Sequence, residues 1–175
     1  MRGFFEGHAC ESRVWTAGPM HELHPGFHVL EIAPGPKSTL WSYVSVGGAV
    51  ISQADVPALE FVLFADAPDP RHVEIVTMTA HFNHLHILGS GHTIPIGDPW
   101  LPGSSCDHVL IAKPYPLDSE FERVDAPEGH AHMLWLLPIT DAERRYKIAN
   151  GIDALEARFE EKALEYWRAD RASTC

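Results

Sequence analysis

The sequence predicts an α+β fold in which a mixed, mostly antiparallel β-sheet packs against helices. The chain has 175 residues, which fits one domain. Its hydrophobic fraction of 45% and its charged fraction of 21% are ordinary for a globular protein with a buried core. The predicted elements follow the order strands, helix, strands, helices, which is typical of an α+β protein. We therefore expect a single domain over residues 1–175.

The first strands are predicted from β-rich segments at residues 27–34 and 38–47. Gly35 and Pro36 lie between these segments and favour a short turn, so the two strands are expected to be neighbours. Residues 59–65, with the sequence LEFVLFA, are mostly apolar and predict a third, largely buried strand.

A helix is predicted over about residues 70–88. Asp69 can cap its first turn, and Pro70 fits there because the first helical N–H groups have no helical partner. Apolar residues recur in two adjacent stripes at helical spacing, so much of the helix circumference is expected to be covered. Residues 89–107 are rich in Gly, Pro and Ser and predict a long structured loop that carries Trp100.

Two more strands are predicted at residues 108–113 and 131–138, on either side of a second long, acidic loop at 114–129. The second of these strands is apolar throughout and is expected to be fully buried.

The C-terminal part of the chain is predicted to be helical. Thr140 and Glu143 have the spacing of a capping box, which predicts that a helix begins there. This helix should end near Gly151, because glycine tolerates the left-handed conformation of a helix C-cap. A last helix is expected from about residue 153, with an apolar face that continues to Tyr166.

Charge and composition exclude several classes of function. The formal net charge is −11 with neutral histidines, and no run of Lys or Arg occurs, so nucleic acid is not an expected partner. The longest apolar run is far shorter than a membrane span, and no membrane association is predicted. Cys10, Cys106 and Cys175 are far apart and form no C-x-x-C motif, which favours reduced thiols. The N-terminus has no signal-peptide pattern, so the expected location is the cytoplasm.

Histidines form the densest cluster of chemically active side chains, at His81, His84, His86 and His92. Imidazoles bind zinc, so this cluster is an alternative hypothesis for a metal enzyme or a metal-binding protein. Helix geometry argues against it, because His86 points away from His84 and no carboxylate lies nearby in the sequence. His130 and His132 form a second pair that a strand would place on one face. No nucleophile or phosphate-binding motif occurs, and we predict no enzymatic activity and no cofactor.

Three motifs carry a resemblance to a known family: GHTIPIGDP at residues 91–99, WLLPITDAE at 135–143 and GIDALE at 151–156. In this order and spacing they resemble the suppressor of fused family. The likeness is strongest over residues 91–160 and looser over 27–90, and residues 1–26 are unassigned. Departures occur where the family often has T-x-G-M-S and this chain has Ser45-Val-Gly-Gly-Ala49, and where Ala58 replaces an Arg before the Leu-Glu pair.

The resemblance implies a single α+β domain similar to the N-terminal part of the longer animal proteins, without catalytic residues. Animal members clasp an extended peptide from a transcription factor by using a second domain that this short chain is expected to lack, so that partner is not transferred. Bacterial single-domain relatives are thought to include immunity proteins that neutralise polymorphic toxins. A small acidic chain suits such a role, because its field speeds the capture of a basic toxin domain.

The expected function is therefore that of a non-enzymatic protein-binding module, either an immunity protein or a regulatory scaffold that binds a peptide by strand addition. Trp100 and Tyr115 are candidate aromatic anchors for a partner. The alternative interpretation is that both rings are tucked under their own loops, and it is favoured for Trp100. The full set of candidate partner-binding residues is His92, Thr93, Asp98, Trp100, Tyr115, Glu120 and Glu128.

Overall fold

The structure, a computed structural model, describes residues 5–51, 57–117, 119–126 and 129–175. Within them, eight strands form one sheet with four α-helices and two short 3₁₀ helices at Ala49–Ile51 and Ser119–Glu122. The strands are β1 Cys10–Arg13, β2 His28–Ile32, β3 Trp41–Val46, β4 Leu59–Ala65, β5 Thr93–Pro95, β6 Cys106–Ala112, β7 Arg123–Ala126 and β8 Gly129–Thr140. The helices are α1 Met20–Leu23, α2 Pro70–Leu85, α3 Asp141–Asn150 and α4 Ile152–Glu161.

The sheet has the strand order β1-β2-β3-β4-β8-β6-β5, with β7 beside the first part of β8. Every pairing is antiparallel except β4 with β8, which is parallel. A parallel pair requires a long crossover, and here the chain between β4 and β8 contains α2 and strands β5 to β7. The predicted mixed, mostly antiparallel α+β fold is confirmed.

Hydrophobic side chains fill both faces of this sheet. Phe61 and Leu63 of β4 face a core that includes α2, whereas Val62 and Phe64 face a second core that includes α4. Side chains of a strand alternate between faces, so a strand covered on both sides must be apolar at nearly every position. This explains why the whole of β4 is buried.

Two predicted helix starts are confirmed by their caps. The Asp69 side chain accepts a hydrogen bond from Arg71 N at 2.8 Å, which begins α2. Thr140 and Glu143 form both hydrogen bonds of the capping box, which begins α3. Caps are local, because donor and acceptor lie within four residues, and the sequence alone is enough to predict them.

The predicted last helix is too long. It ends at Glu161, because the chain reverses in a Schellman motif in which Leu164 N bonds to Phe159 O and Ala163 N bonds to Glu160 O. Ala163 adopts a φ of 47°, a left-handed conformation that usually requires glycine. The residues that follow form a tail over α3 and β8 instead of a further helical turn.

The predicted α2 also ends earlier than expected, at Leu85, where His86 is extended. Several short elements were not predicted: β1, α1, β5 and β7. Each has only three or four residues, too few to show a hydrophobic period. No helix in the described ranges could cross a bilayer; the longest, α2, has 16 residues.

Candidate protein-binding site

Residues 89–105, which form most of the segment between α2 and β6, are named here the β5 loop. It contains β5, which lies at one edge of the sheet and pairs with β6. Long loops on a rigid sheet often carry binding function. The backbone of this loop is held from three sides, by α2, by α3 and by the core.

Arg71 holds the loop from the first turn of α2. Its Nη2 donates to Ile96 O at 2.6 Å and to Asp98 O at 2.8 Å, while Nη1 forms an ion pair with Glu74 at 2.6 Å. The Asp69 cap fixes the start of the helix and thereby the position of the guanidinium. A planar guanidinium with several donors can bond to a carboxylate and to two carbonyls at once.

Lys147 holds the other end of the loop from the last turn of α3. Its Nζ donates to Gly91 O in a short hydrogen bond and lies 3.4 Å from Thr93 Oγ1. Partial burial, followed by repulsion from Arg144, lowers the pKa of Lys147. The Thr93 hydroxyl, a predicted contact group, is therefore already in contact with α3.

Trp100 anchors the loop in the core. The indole is fully buried, and its ring centroid lies 5.8 Å from that of His72 on α2. Its backbone N–H donates to Cys106 O at 2.7 Å. The prediction that Trp100 contacts a partner is corrected, because its surface is covered by the core; of the two interpretations, the ring tucked under its own loop is the one observed.

The remaining predicted contact residues are divided between two places. His92 and Asp98 are exposed on the β5 loop, and Thr93 is half-buried between them. Tyr115 is 63% exposed but belongs to the segment after β6, beside α4. The side chain of Glu120 and the whole of Glu128 lie outside the described residues.

The histidines do not converge as the alternative metal hypothesis requires. The ring centroids of His81 and His84 are 6.4 Å apart, and His24 from the end of α1 lies 5.8 Å from His84. His86 instead contacts Phe82, with ring centroids 4.5 Å apart. Among the residues that the structure describes, no group of three or more His, Cys, Asp or Glu side chains is placed to hold a metal ion.

The second histidine pair, His130 and His132, lies exposed on β8. As predicted, the two residues share a face of the strand. Their cross-strand neighbours are Asp125 and Arg123 on β7. The Asp125 carboxylate is 3.5 Å from His130 Nδ1, whereas Arg123 brings a positive charge opposite His132. A cation beside one imidazole disfavours a shared metal ion.

A buried carboxylate, Glu60, shapes the turn after β3 and was missed by the sequence analysis. It accepts hydrogen bonds from Gly47 N at 3.0 Å, from Ala49 N at 3.1 Å and from the Ser45 hydroxyl. Burial raises its pKa, and these hydrogen bonds partly oppose the effect. A Cβ atom on Gly48 would come within 2.8 Å of Leu59 O, so that position requires glycine. A charged residue inside an apolar strand was the available signal.

A buried ion pair, also missed, fixes the C-terminal tail. Arg171 donates to both carboxylate oxygens of Glu143 at 2.7 Å, and Thr174 donates to Glu143 twice at 3.0 Å. The Glu143 and Arg171 side chains are 0% and 3% exposed. Burial favours the neutral acid, but the hydrogen bonds from Arg171 and from the Thr140 and Thr174 amides outweigh it and lower the pKa of Glu143. Twenty-eight residues separate the partners, so no local pattern predicts the pair.

The fold places a loop that is anchored in the core and restrained by two helices at one edge of a mixed sheet. A family model for the suppressor of fused protein, SUFU, matches residues 24–172. The crystal structure of a SUFU homolog from Neisseria gonorrhoeae is similar, with 32% sequence identity, a TM-score of 0.85, and 99% of this chain and 92% of that chain covered. The chain belongs to the suppressor of fused family.

Two more distant structures show the same fold. The structure of the Sufu–Fu complex has 12% identity and a TM-score of 0.64, with 85% of this chain and 76% of that chain covered. Drosophila Suppressor of Fused has 11% identity and a TM-score of 0.60, with 89% of this chain but only 48% of that chain covered. No curated protein matches this sequence. Sufu has thus been crystallised in a complex with Fu.

Proposed function

We propose that this chain is a non-enzymatic protein-binding module whose contact surface is the β5 loop, and that its specific role is that of an immunity protein against a basic toxin domain. The observation that carries the proposal is the restraint of the loop by Arg71, Lys147 and Trp100. A loop ordered before binding loses less conformational entropy when the partner docks.

Charge supports the choice of a basic partner. The net charge of −11 attracts a cationic domain over several ångströms and raises its association rate. Asp98 is exposed on the loop, and its backbone carbonyl is fixed by Arg71. The backbone position from which this carboxylate extends is therefore set before a partner arrives.

Co-expression with a basic toxin domain encoded beside the gene tests the proposal. We expect protection of the cell, a complex that co-purifies, and weaker binding by about three- to tenfold in Asp98→Asn, which removes one charge at the edge of an interface. Glu161→Gln removes the same charge from α4, outside the loop, and is the matched control. Absence of any complex with such a domain would contradict the immunity role, and equal losses in both variants would contradict the loop as the contact surface.

Strand addition by an extended peptide, as in a regulatory scaffold, is a second candidate function, because both ends of the sheet are edges. At the β5 end, Pro95 lacks an N–H donor, which makes that edge a poor template. At the other end, all four residues of β1 are exposed. Protection of the β1 amides, residues 10–13, from hydrogen exchange on partner binding would support this mode; protection confined to the β5 loop would contradict it.

A further inference from the structure

An apolar groove of about 600 Å³ lies on the face of the sheet opposite α2. We call it the α4 groove. Its floor comes from strands β6 and β8, and its walls come from α4, the Schellman turn, Tyr115 and Pro116. Its main apolar lining residues are Leu110, Ala112, Trp135, Leu137, Phe159 and Leu164.

The volume of the α4 groove is within the range of sites that take a small ligand or several side chains. Its rim is open to solvent, since Tyr115 and Ala163 are both exposed there. The floor residues Leu110, Trp135 and Leu137 are themselves buried, so the apolar surface that a partner can reach lies at this rim. A concave site with an apolar lining and a few polar groups commonly binds another molecule.

Carboxylates crowd the rim of this groove. Glu156 and Glu160 line it directly, and Asp153 lies on the preceding turn of α4. Burial, then repulsion from Asp153 and Glu160, raises the pKa of Glu156, while Lys113 opposes the effect. Burial also raises the pKa of the Tyr115 phenol, with further contributions from Glu156, Asp153 and Glu122. These carboxylates repel one another, and a bound cation would relieve the repulsion.

We propose that the α4 groove is a second docking surface, whose occupant is a segment of a partner protein that places apolar side chains against Tyr115 and Leu164 and a lysine or arginine against Glu156 and Glu160. The inference rests on the proposed function, because it names a further surface for the same kind of basic protein partner. Its geometric basis is the juxtaposition of exposed apolar side chains and carboxylates around one groove.

Electrostatics select this occupant over others. A second copy of this chain, also at −11, would bring like charge to the rim. A nucleic acid or a small anion would be repelled for the same reason. A segment that alternates apolar and basic residues can contact both the apolar side chains and the carboxylates around the groove.

The probes are a fluorescein-labelled ten-residue peptide of leucine and lysine and its counterpart with glutamate at every lysine position. We expect the Leu–Lys peptide to bind the full chain in fluorescence anisotropy and the Leu–Glu peptide not to bind. The double variant Glu156→Gln/Glu160→Gln should weaken Leu–Lys binding by about three- to tenfold, as expected for two partly exposed charge pairs.

The matched control is Glu6→Gln/Glu161→Gln, which removes two charges from exposed positions that do not line the groove. This control should bind the Leu–Lys peptide as the wild type does, and amide chemical-shift changes should map to residues 113–117 and to α4. Equal weakening in both double variants, binding of the Leu–Glu peptide, or shifts confined to the β5 loop would overturn the proposal. The peptide experiment needs no toxin domain, and the co-expression experiment does not use the peptide, so failure of the groove is distinguishable from failure of the proposed function.

Discussion

The β5 loop and the α4 groove both adjoin strand β6 but are stabilised by different interactions. The loop is held by polar contacts, with two cations on its carbonyl oxygens and one buried indole beneath it. The groove is apolar, and one of its walls is the turn and tail that Arg171 ties to Glu143. The two regions differ in what orders them. The β5 loop is ordered by contacts to its own residues, whereas the wall of the α4 groove depends on the Glu143–Arg171 ion pair, which lies outside the groove.

The largest expected effect comes from removing the ion pair between Arg171 and Glu143, which should loosen the C-terminal tail beside the groove and leave the β5 loop ordered. Arg171→Met should lower the free energy of unfolding by about 3–5 kcal/mol, because it leaves the Glu143 carboxylate buried without its cation. Chemical denaturation measures this loss. Hydrogen exchange should increase over residues 164–175 before it increases in the β5 loop.

The control for this variant is Arg168→Met, since the ion pairs of Arg168 with Glu165 and Asp170 are exposed and contribute at most about 1 kcal/mol. Similar losses in both variants would show that the buried pair does not anchor the tail.

A second prediction concerns the core beneath the loop, where His72 lies between Tyr43 and Trp100 with ring centroids at 4.8 and 5.8 Å. Burial lowers the pKa of His72 to about 4, although Asp69 and Asp66 oppose the shift. In the unfolded chain this histidine has a pKa of about 6.5 and binds a proton more readily than in the folded state. The contribution of His72 to the free energy of unfolding is therefore complete above about pH 6.5 and falls as the pH drops toward 4. The loss from this group is about 3 kcal/mol.

His72→Phe tests this prediction because it keeps a ring in the core and removes the titration. The difference in unfolding free energy between wild type and variant should change by that amount between pH 6.5 and pH 4. His132→Phe is the control, because it makes the same replacement at an exposed position of β8. Parallel pH profiles for wild type and His72→Phe would rule out this histidine as a source of acid sensitivity.

A third prediction addresses the order of the β5 loop. Arg71→Leu removes the donors to Ile96 O and Asp98 O and should cost about 1.5–3 kcal/mol, the usual range for hydrogen bonds from a charged group. Hydrogen exchange of the loop amides should rise, while the α4 groove should still bind the Leu–Lys peptide. Arg145→Leu, on an exposed side chain of α3, is the control. Unchanged exchange in the loop would contradict its restraint by α2.

The smallest expected effect is a gain in stability at the turn that walls the groove. Ala163→Gly should raise the free energy of unfolding by roughly 0.5–1 kcal/mol, because glycine adopts a φ of 47° without the steric cost of a Cβ atom. The matched variant Ala157→Gly, in the interior of α4, should lower stability by a similar amount. A loss in both variants would contradict the left-handed turn. Thermal unfolding measures both.

The fold was predictable to the extent that its signals are local or repeated. The apolar strand at Leu59–Ala65, the Asp69 cap and the Thr140–Glu143 capping box all appear within a few residues of sequence. The motifs at residues 91–99, 135–143 and 151–156, in this order and spacing, indicated the family, which the match over residues 24–172 confirms. The short edge strands β1 and β5 were not predictable, because a three- or four-residue element forms only when a neighbouring strand supplies its hydrogen bonds.

The sequence by itself determined the acidic charge, the order of the main elements and the starts of α2 and α3, since each depends on composition or on residues a few positions apart. Only the tertiary structure decided that Trp100 is a buried anchor, that Glu143 meets Arg171, and that Tyr115 and Glu156 share the rim of a groove. The physical reason is that burial and long-range electrostatics depend on the path of the whole chain in space. The identity of a residue does not say whether its side chain faces water or the core, or which distant charge it meets.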